Sequence, residues 1–402
     1  MILIKDENNI LASVSIYHAL NDGSVAVIPI LFPIFKSIFN LTYTQVGVIT
    51  GGGLLLTLIS QLIIGRKADG KDFRTLLSVG ILLVSISLLL LTQSRDFYTL
   101  LILILFIRFS SSFFHPIGVG WISRTFKKIK LDWAMGIQSG GADIGAFVAV
   151  GTTLFLTELA YWQFPLFLWS ILGIIGLFFG IILTRNIRET VAKLKYEHKR
   201  QTFKEALSEG LNFLKDIKLL VPAIMLSGAA WGIIITYLPL LLQERTNLSL
   251  SLIGLLVAVW LGIGSIASFS YGTISNYLGR KKIIILSYLV LGIIGILLTI
   301  ITDVQILFVM MVLLGIAVFI TYPTLFSFIS EITHESIEGR TFGIIFTLQL
   351  GGGTALLFIG GVLSDLIGIW MPFFLLGIIS LILSVFLIIY YKKPYAVNSL
   401  SI

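Results

Sequence analysis

Residues 65–74 read Gly-Arg-Lys-Ala-Asp-Gly-Lys-Asp-Phe-Arg, and residues 272–281 read Gly-Thr-Ile-Ser-Asn-Tyr-Leu-Gly-Arg-Lys. Both stretches are short, polar and basic, and each lies between two long apolar runs. Their first glycines are 207 residues apart, which is close to half of the 402-residue chain. Two such loops at this separation indicate a chain built from two related halves.

The chain as a whole is too apolar for a soluble protein. Its residues are 57% hydrophobic and 12% charged, and its mean hydropathy is +1.01. Because soluble domains carry about 25% charged residues, this composition predicts a membrane protein. The net charge of +8 comes from residues in the loops between apolar runs, so it does not predict nucleic-acid binding.

Apolar runs of about 20 residues are long enough to cross a bilayer as helices, and the chain has twelve. They predict an all-α membrane protein with twelve transmembrane helices in two pseudo-symmetric six-helix bundles. We place the N-terminal bundle at 1–184, a cytoplasmic linker at 185–217 and the C-terminal bundle at 218–402. The runs cover residues 10–36, 42–65, 74–93, 97–123, 133–157, 162–184, 218–243, 249–272, 281–301, 305–330, 340–365 and 370–391.

The two bundles align without a gap at the same offset of 207 residues. The matching positions include Gly47 with Gly254, Gly65 with Gly272, Pro116 with Pro323, and Gly145 with Gly352. A constant offset with glycines and prolines among the matches indicates an internal duplication. Transporters built from two parallel halves place the solute site between them near the middle of the membrane.

The basic residues predict the orientation in the membrane. Of the 28 Lys and Arg residues, 24 lie at the N-terminus, at the C-terminus or in alternate loops. The other loops hold Lys36, Arg95 and Arg245, and Arg108 lies inside a run. Since basic residues are enriched on the cytoplasmic side, we expect a plasma-membrane protein with both termini in the cytoplasm.

The loops at 65–74 and 272–281 resemble the signature of the major facilitator superfamily, Gly-x-x-x-Asp-(Arg/Lys)-x-Gly-(Arg/Lys)-(Arg/Lys). The resemblance to this family covers the whole chain. The first copy keeps the first Gly, the Asp and the last basic residue, and the second copy has Asn in place of the Asp. The resemblance implies a cytoplasmic latch that stabilises the outward-facing state; the alternative is that the basic residues only keep these loops inside. The latch residues would be Gly65, Asp69, Arg74, Gly272, Asn276, Gly279 and Arg280.

Two further motifs are similar to the fosmidomycin-resistance branch of that family. They are His18-x-x-Asn21-Asp22 in the first run and Phe114-His115-Pro116 in the fourth. This resemblance implies drug efflux driven by proton exchange. The family's antiporters carry Gly-Pro-x-x-Gly-Gly in the fifth helix, and here the glycines are present without the proline, which weakens the antiport hypothesis.

Charged residues inside membrane spans are costly and usually functional. His18 and Asp22 are four residues apart and therefore share a helix face. Asp22 is the candidate proton carrier, and a relay or a substrate contact is expected of the histidines. The candidate proton-coupling residues are Asp22, His18, His115 and Asp143.

Arg108 can hold Asp22 or bind an anionic substrate with its planar guanidinium. The alternative is a structural salt bridge from Arg108 to Asp22 or Asp143. The second half is apolar and aromatic where the first is charged, and Trp231, Tyr237 and Trp260 could form its cavity wall. The alternative is that these aromatic residues face lipid or lie in the membrane interface. The candidate substrate-binding residues are Arg108, Asn21, Gln138, Tyr322 and Gln349.

These observations predict a secondary active transporter and not an enzyme. No phosphate-binding loop for ATP is present, and we expect no cofactor and no metal. The hypothesis is proton-coupled efflux of a drug or metabolite by alternating access, as a monomer in the lipid bilayer. The alternatives are uptake or exchange of an anionic metabolite bound at Arg108, and a transporter-like sensor without flux.

Overall fold

A computed structural model describes residues 2–68, 71–126, 129–187, 214–215, 217–332 and 338–392. The predicted latch residue Asp69 and most of the predicted linker lie outside these ranges. The described residues form long helices that pack side by side and expose apolar side chains on their outer surface. That pattern suits a chain surrounded by lipid.

The first half, residues 2–187, contains eight α-helices and one π-helical turn. The turn covers His115–Val119 and lies between α5 and α6. The helices are α1 Ile2–Ile30, α2 Phe32–Phe39, α3 Tyr43–Lys67, α4 Phe73–Leu91, α5 Phe97–Ser111, α6 Gly120–Thr125, α7 Ile129–Leu159 and α8 Phe164–Thr184.

The second half, residues 217–392, repeats this order with fewer breaks. Its helices are α9 Val221–Arg245, α10 Leu250–Phe269, α11 Tyr271–Leu278, α12 Arg280–Leu297, α13 Val304–Ile332, α14 Glu338–Leu366 and α15 Met371–Lys392. The break between α11 and α12 falls at Gly279, whose φ of +77° is a left-handed conformation that favours glycine.

Within the part of the chain that the structure describes, ten helical segments are long and apolar enough to cross a membrane, and the pair α1–α2 makes an eleventh. Helix α12, with 18 residues, takes the place of the remaining predicted span and begins with three basic residues. The predicted all-α fold with a twelve-helix arrangement is therefore confirmed.

Two predicted helices are less regular than their apolar runs suggested. The first bends by 48° between α1 and α2, where Pro33 lies in the first turn of α2 and has no backbone N–H to donate. The fourth is interrupted after α5 by a turn and by the π-helical segment that contains Pro116. Proline cannot complete the hydrogen-bond pattern of a regular α-helix, which accounts for both breaks.

Close packing within each half depends on glycine. A methyl group at Gly145 of α7 would collide with the backbone of α1 at Ala19, and one at Gly352 of α14 would collide with α9 at Met225. These two glycines match at the 207-residue offset. Across the halves, α3 packs on α14 and α7 packs on α10. Helices α1 and α2 also contact α9 across the halves.

Candidate functional site

The first part of the site is a histidine–carboxylate pair on α1. The Nε2 atom of His18 lies 3.4 Å from Oδ2 of Asp22, one helical turn away. The side-chain amide of Asn21 donates to Oδ1 of Asp22 over 2.9 Å. His18 is 5% exposed, and the Asp22 side chain is 30% exposed. The pair is thus held inside the protein with one carboxylate edge open.

The partner of His18 on α7 fixes which ring nitrogen carries hydrogen. Nδ1 of His18 lies 3.0 Å from the backbone carbonyl oxygen of Gln138. A carbonyl oxygen only accepts, so Nδ1–H is the donor. In the neutral ring, Nε2 is then an unprotonated acceptor facing the Asp22 carboxylate, and this buried atom has no hydrogen-bond partner. Two facing acceptors are a natural place for a shared proton.

The segment between α5 and α6 adds two aromatic rings to this pair. The Phe114 ring stacks on the His18 ring with centroids 4.1 Å apart. The His115 ring meets His18 edge-on at 5.3 Å. His115 is exposed, and Asp22 lies close enough to act on it electrostatically. The turn that breaks the helix therefore brings a second imidazole to the same carboxylate.

Arg108 on α5 is the buried cation of the site. It is 9% exposed, and its buried Nε atom has no hydrogen-bond partner. Asp22 acts on it electrostatically, yet among the described residues the ion pair of Asp22 is with His18. The alternative of a structural salt bridge from Arg108 to Asp22 or Asp143 is therefore not observed among the described residues.

Space for Arg108 comes from a glycine on the neighbouring helix. A methyl group added to Gly53 of α3 would stand 3.0 Å from Cγ of Arg108. In the second half, Trp260 occupies the position that matches Gly53, and Gly315 occupies the position that matches Arg108. The large and the small residue are therefore exchanged between the halves. There the backbone of Gly315 packs directly on the Trp260 carbonyl.

Asp143 is the third charged residue of the spans. It lies on α7, is partly buried, and interacts electrostatically with Asp22 and His18. The structure thus places Asp143 at the edge of the α1 pair without a direct contact to it. The side-chain amide of Gln138, also on α7, donates to Ser139 over 2.9 Å, while its Oε1 is buried without a partner.

His18, Asp22 and His115 also bring together three possible metal-ligand atoms, all within 4.8 Å of one another. Imidazole and carboxylate groups suit divalent transition metals. The nearby positive charge of Arg108 opposes a second cation at this carboxylate. Spacing in the sequence did not indicate this set, because His115 comes from a distant helix.

The second half contributes a small polar network around Ser227 of α9. The Tyr322 hydroxyl donates to the Ser227 carbonyl over 3.3 Å, and the Gln349 side-chain amide donates to the Ser227 hydroxyl over 3.2 Å. Tyr322 and Gln349 were predicted from the sequence, and Ser227 was not. A single serine in an apolar run carries no signal that distinguishes it.

The other aromatic residues expected in the cavity wall differ in burial. Trp231 is partly buried. Tyr237 and Trp260 are fully buried, and the Tyr237 hydroxyl donates to the backbone carbonyl of Leu357 over 2.7 Å. The side chains of Tyr237 and Trp260 are buried where α9 and α10 pack on their neighbours. They therefore hold helices together and do not line open space.

Among the described residues of the predicted cytoplasmic latch, Arg74 makes its hydrogen bonds within its own half. Arg74 donates to the backbone carbonyls of Thr184 and Arg185, at the end of α8 in the same half. Gly272 and Asn276 are exposed. A methyl group added to Gly65 would stand 3.4 Å from Cβ of Pro116. The predicted latch role of these residues stays a prediction.

Comparison with known proteins identifies the family. The model of the Major Facilitator Superfamily matches residues 14–357 and, in a second match, 220–401. Over 109 residues the chain is 35% identical to the uncharacterized MFS-type transporter YfnC of Bacillus subtilis (strain 168), covering 27% of each chain. It is 31% identical over 107 residues to the fosmidomycin resistance protein of Escherichia coli (strain K12), covering 27% of this chain and 26% of that one. These alignments span about a quarter of each curated relative.

Solved structures extend the likeness to nearly the whole chain. A bacterial homolog of the human lysosomal transporter Spinster has a TM-score of 0.74 at 16% identity, covering 96% of this chain and 95% of that one. The nucleoside transporter NupG has a TM-score of 0.78 at 15% identity, covering 95% and 99%. These likenesses show the fold. Since the family model covers most of the sequence, the chain belongs to the Major Facilitator Superfamily, and it is a membrane transporter of a small solute and not an enzyme.

Proposed function

We propose that this protein is a proton-coupled secondary transporter that exports a small organic solute by alternating access. The observation that carries the proposal is the fixed orientation of His18. Its Nδ1–H is bound to the Gln138 carbonyl, so its Nε2 and the Asp22 carboxylate face each other at 3.4 Å with room for one proton. The likeness to the fosmidomycin resistance protein supports export of a drug-like compound.

Proton exchange at this pair requires access that changes during the cycle. Asp22 keeps one open edge, and His115 lies exposed beside it, so protons reach the pair from one side of the membrane at a time. The charge of Asp22 acts electrostatically on Asp143. A proton added between His18 and Asp22 lowers the net negative charge of the pair and alters its pull on Arg108. Asp22 and His18 therefore carry the proton together, with His115 and Asp143 beside them.

The solute would bind between the halves. Arg108 offers a guanidinium with a free Nε, and the unpaired Oε1 of Gln138 offers an acceptor. Across the centre, the Ser227 network with Tyr322 and Gln349 presents neutral polar groups. A solute with one polar or anionic end and an apolar body matches these two walls.

We further propose that the bundles 1–184 and 218–402 rock against each other about this site, with both termini in the cytoplasm of a monomer in the plasma membrane. The loops at Gly65–Arg74 and Gly272–Arg280 would form the cytoplasmic latch when the inner side is closed. The excess of basic residues in alternate loops and the parallel repeat support this arrangement.

A second candidate is exchange of anionic metabolites without protons. It is favoured by Arg108, whose Nε is buried and unpaired and is thus available to a carboxylate or phosphate of the solute. In that mechanism Asp22 would only position His18. Flux would depend on a counter-anion and would be independent of the pH gradient.

Proteoliposomes with a trapped pH-sensitive dye distinguish the two candidates. A panel of amphipathic drugs and organic anions is added outside, and wild type is compared with Asp22→Asn. We expect at least one compound to trigger proton flux that Asp22→Asn abolishes. Asp303→Asn is the matched control, since Asp303 caps α13 away from the site, and its flux should equal that of wild type.

The contrary result is equally clear. Passage of a labelled compound at the same rate in wild type and Asp22→Asn, without any proton signal, contradicts the proton-coupled mechanism. If that passage also requires an anion inside the vesicles, the exchange mechanism is supported, and Arg108→Gln should then abolish it.

A further inference from the structure

At the face of the predicted outer loops, Glu244 accepts from a hydroxyl of the other half, and two further carboxylates bind helix N-termini of the other half. The first is Asp365, in the last turn of α14. Its Oδ1 accepts from the backbone N–H of Tyr43 over 2.8 Å, and its Oδ2 accepts from that of Thr44 over 2.7 Å. Tyr43 and Thr44 are the first two residues of α3, in the other half. The Tyr43 hydroxyl also donates to Glu244 at the end of α9.

The second carboxylate is Glu158, in the last turn of α7. Its Oε1 accepts from the backbone N–H of Leu250 over 2.7 Å, and its Oε2 accepts from the hydroxyl of Ser251. Leu250 and Ser251 are the first two residues of α10, again in the other half. We call these contacts the outer clasps: Asp365 with Tyr43 and Thr44, and Glu158 with Leu250 and Ser251.

The outer clasps are copies of one another. Glu158 and Asp365 are 207 residues apart, and so are Tyr43 and Leu250. The offset that relates the halves thus relates both the acceptors and the donors. Chance surface contacts would not repeat in this way, so the clasp belongs to the duplicated unit.

Each clasp uses donors that the helix itself leaves free. The first amides of a helix have no partner within it and carry a partial positive charge. Thr42 and Ser249 cap their own helices by accepting from Gln45 and Leu252 respectively. The amides of Tyr43, Thr44 and Leu250 remain, and the carboxylates of the opposite half take them. An anion at this position stabilises the contact between the halves.

We propose that Glu158 and Asp365 are positioning residues of the transport cycle, which hold the outer ends of the halves together while the site is open to the cytoplasm. Opening toward the outside requires both outer clasps to break. The proposal rests on the rocking of the two halves proposed above and does not depend on proton coupling at Asp22.

A single introduced cysteine can report how often the outer ends of the halves separate, because the chain has no cysteine of its own. Ala258 of α10 is 1% exposed and faces Gly151 of α7 across the interface. In Ala258→Cys protein, a membrane-impermeant maleimide added from outside reacts only when the outer ends separate. Glu158→Ala and Asp365→Ala should each raise the labelling rate about fivefold, the size expected for one charge at a helix N-terminus.

Two matched controls separate the clasp from loss of charge. Asp96 and Asp303 lie on the same face, are also 207 residues apart, and cap their own helices through the amides of Thr99 and of Gln305 and Ile306. Asp96→Ala and Asp303→Ala remove a carboxylate and a helix cap without touching the other half. Their labelling should stay at the level of the unmodified reporter protein.

A third variant removes the donor and keeps the carboxylate. Leu250 is the first residue of α10, where proline is well tolerated, and Ser249 has φ −62° and ψ 154°, which suits a residue before proline. Leu250→Pro deletes one N–H of the clasp and should also raise labelling, by less than Glu158→Ala because Ser251 remains. Unchanged labelling in Glu158→Ala and Asp365→Ala, or an equal rise in Asp96→Ala and Asp303→Ala, overturns the proposal.

Discussion

Gly53 lies against the side chain of Arg108, so closely that an added methyl group would stand 3.0 Å from Cγ and 3.3 Å from Nε of the arginine. The helix α3 therefore sets the position of the one buried guanidinium on α5. This contact makes Arg108 sensitive to a change that leaves every charge in place.

We predict that Gly53→Ala weakens binding of an anionic solute about tenfold, equivalent to about 1.4 kcal/mol, because Arg108 must move to admit the methyl group. Gly52→Ala is the control on the same helix, since its methyl group would find nothing nearer than Leu105 at 3.9 Å. Both changes improve helix propensity equally. Solute binding to purified protein measures the difference, and equal affinities in the two variants would contradict the role of Arg108.

The His18 substitutions should separate packing from proton transfer. In His18→Asn, the amide group can still donate to the Gln138 carbonyl, but no atom replaces Nε2. We expect this variant to retain the melting temperature of wild type within a few degrees and to lose proton flux. His18→Ala should lose proton flux and also about 1 kcal/mol of stability with the hydrogen bond. Proton flux that persists in His18→Asn would show that Asp22 works without this partner.

The Ser227 network predicts a change in solute preference. Ser227→Ala removes the acceptor of the Gln349 amide and leaves the Tyr322 contact, which is made to the backbone. The freed amide can then bind a solute acceptor, so competition assays should show a several-fold change in relative affinity among compounds that differ in polar groups. Tyr322→Phe is the comparison that removes the other contact. An identical preference profile in all three proteins would place the network outside the solute path.

Asp96 gives a prediction on pH outside the membrane spans. Hydrogen bonds from the backbone and hydroxyl of Thr99 lower the pKa of Asp96, so the cap favours the folded state above the carboxyl's ordinary pKa. This contribution is lost as the pH falls through the lowered pKa. Asp96→Asn should therefore melt slightly below wild type at neutral pH, and the two curves should converge in acid. A gap that widens in acid would contradict this assignment of the cap.

Much of the fold was predictable because its signals are local. Apolar runs of membrane length and basic loops are recognisable without knowledge of the tertiary contacts. The repeat at 207 residues indicates that the chain has two related halves. The bend after α1 and the π-helical turn at His115 were missed, although Pro33 and Pro116 stand at these breaks. Proline alone does not separate a tolerated kink from a broken helix, since neighbouring helices decide between them.

The site was predictable where residues share a helix. The spacing of His18 and Asp22 predicted a common face, and the structure pairs them. The pairing of Asp22 with His18 and not with Arg108 depends on how α1, α5 and α7 approach one another. The backbone carbonyl that orients His18 belongs to Gln138, and every residue has such a carbonyl, so no sequence pattern marks it. The outer clasps were missed for the same reason, because three of their four donors are main-chain amides.

Gly53 and Arg108 of the first half are matched by Trp260 and Gly315 in the second. This difference affects how many anionic solutes one chain binds. A duplicated chain could have kept two equivalent charged sites, one in each half. Trp260 occupies the position that Gly53 holds in the first half, and Gly315 is too closely packed on it to be replaced by arginine. The position that corresponds to Arg108 in the second half therefore has no space for a guanidinium, and a titration with an anionic solute should saturate at one equivalent per chain.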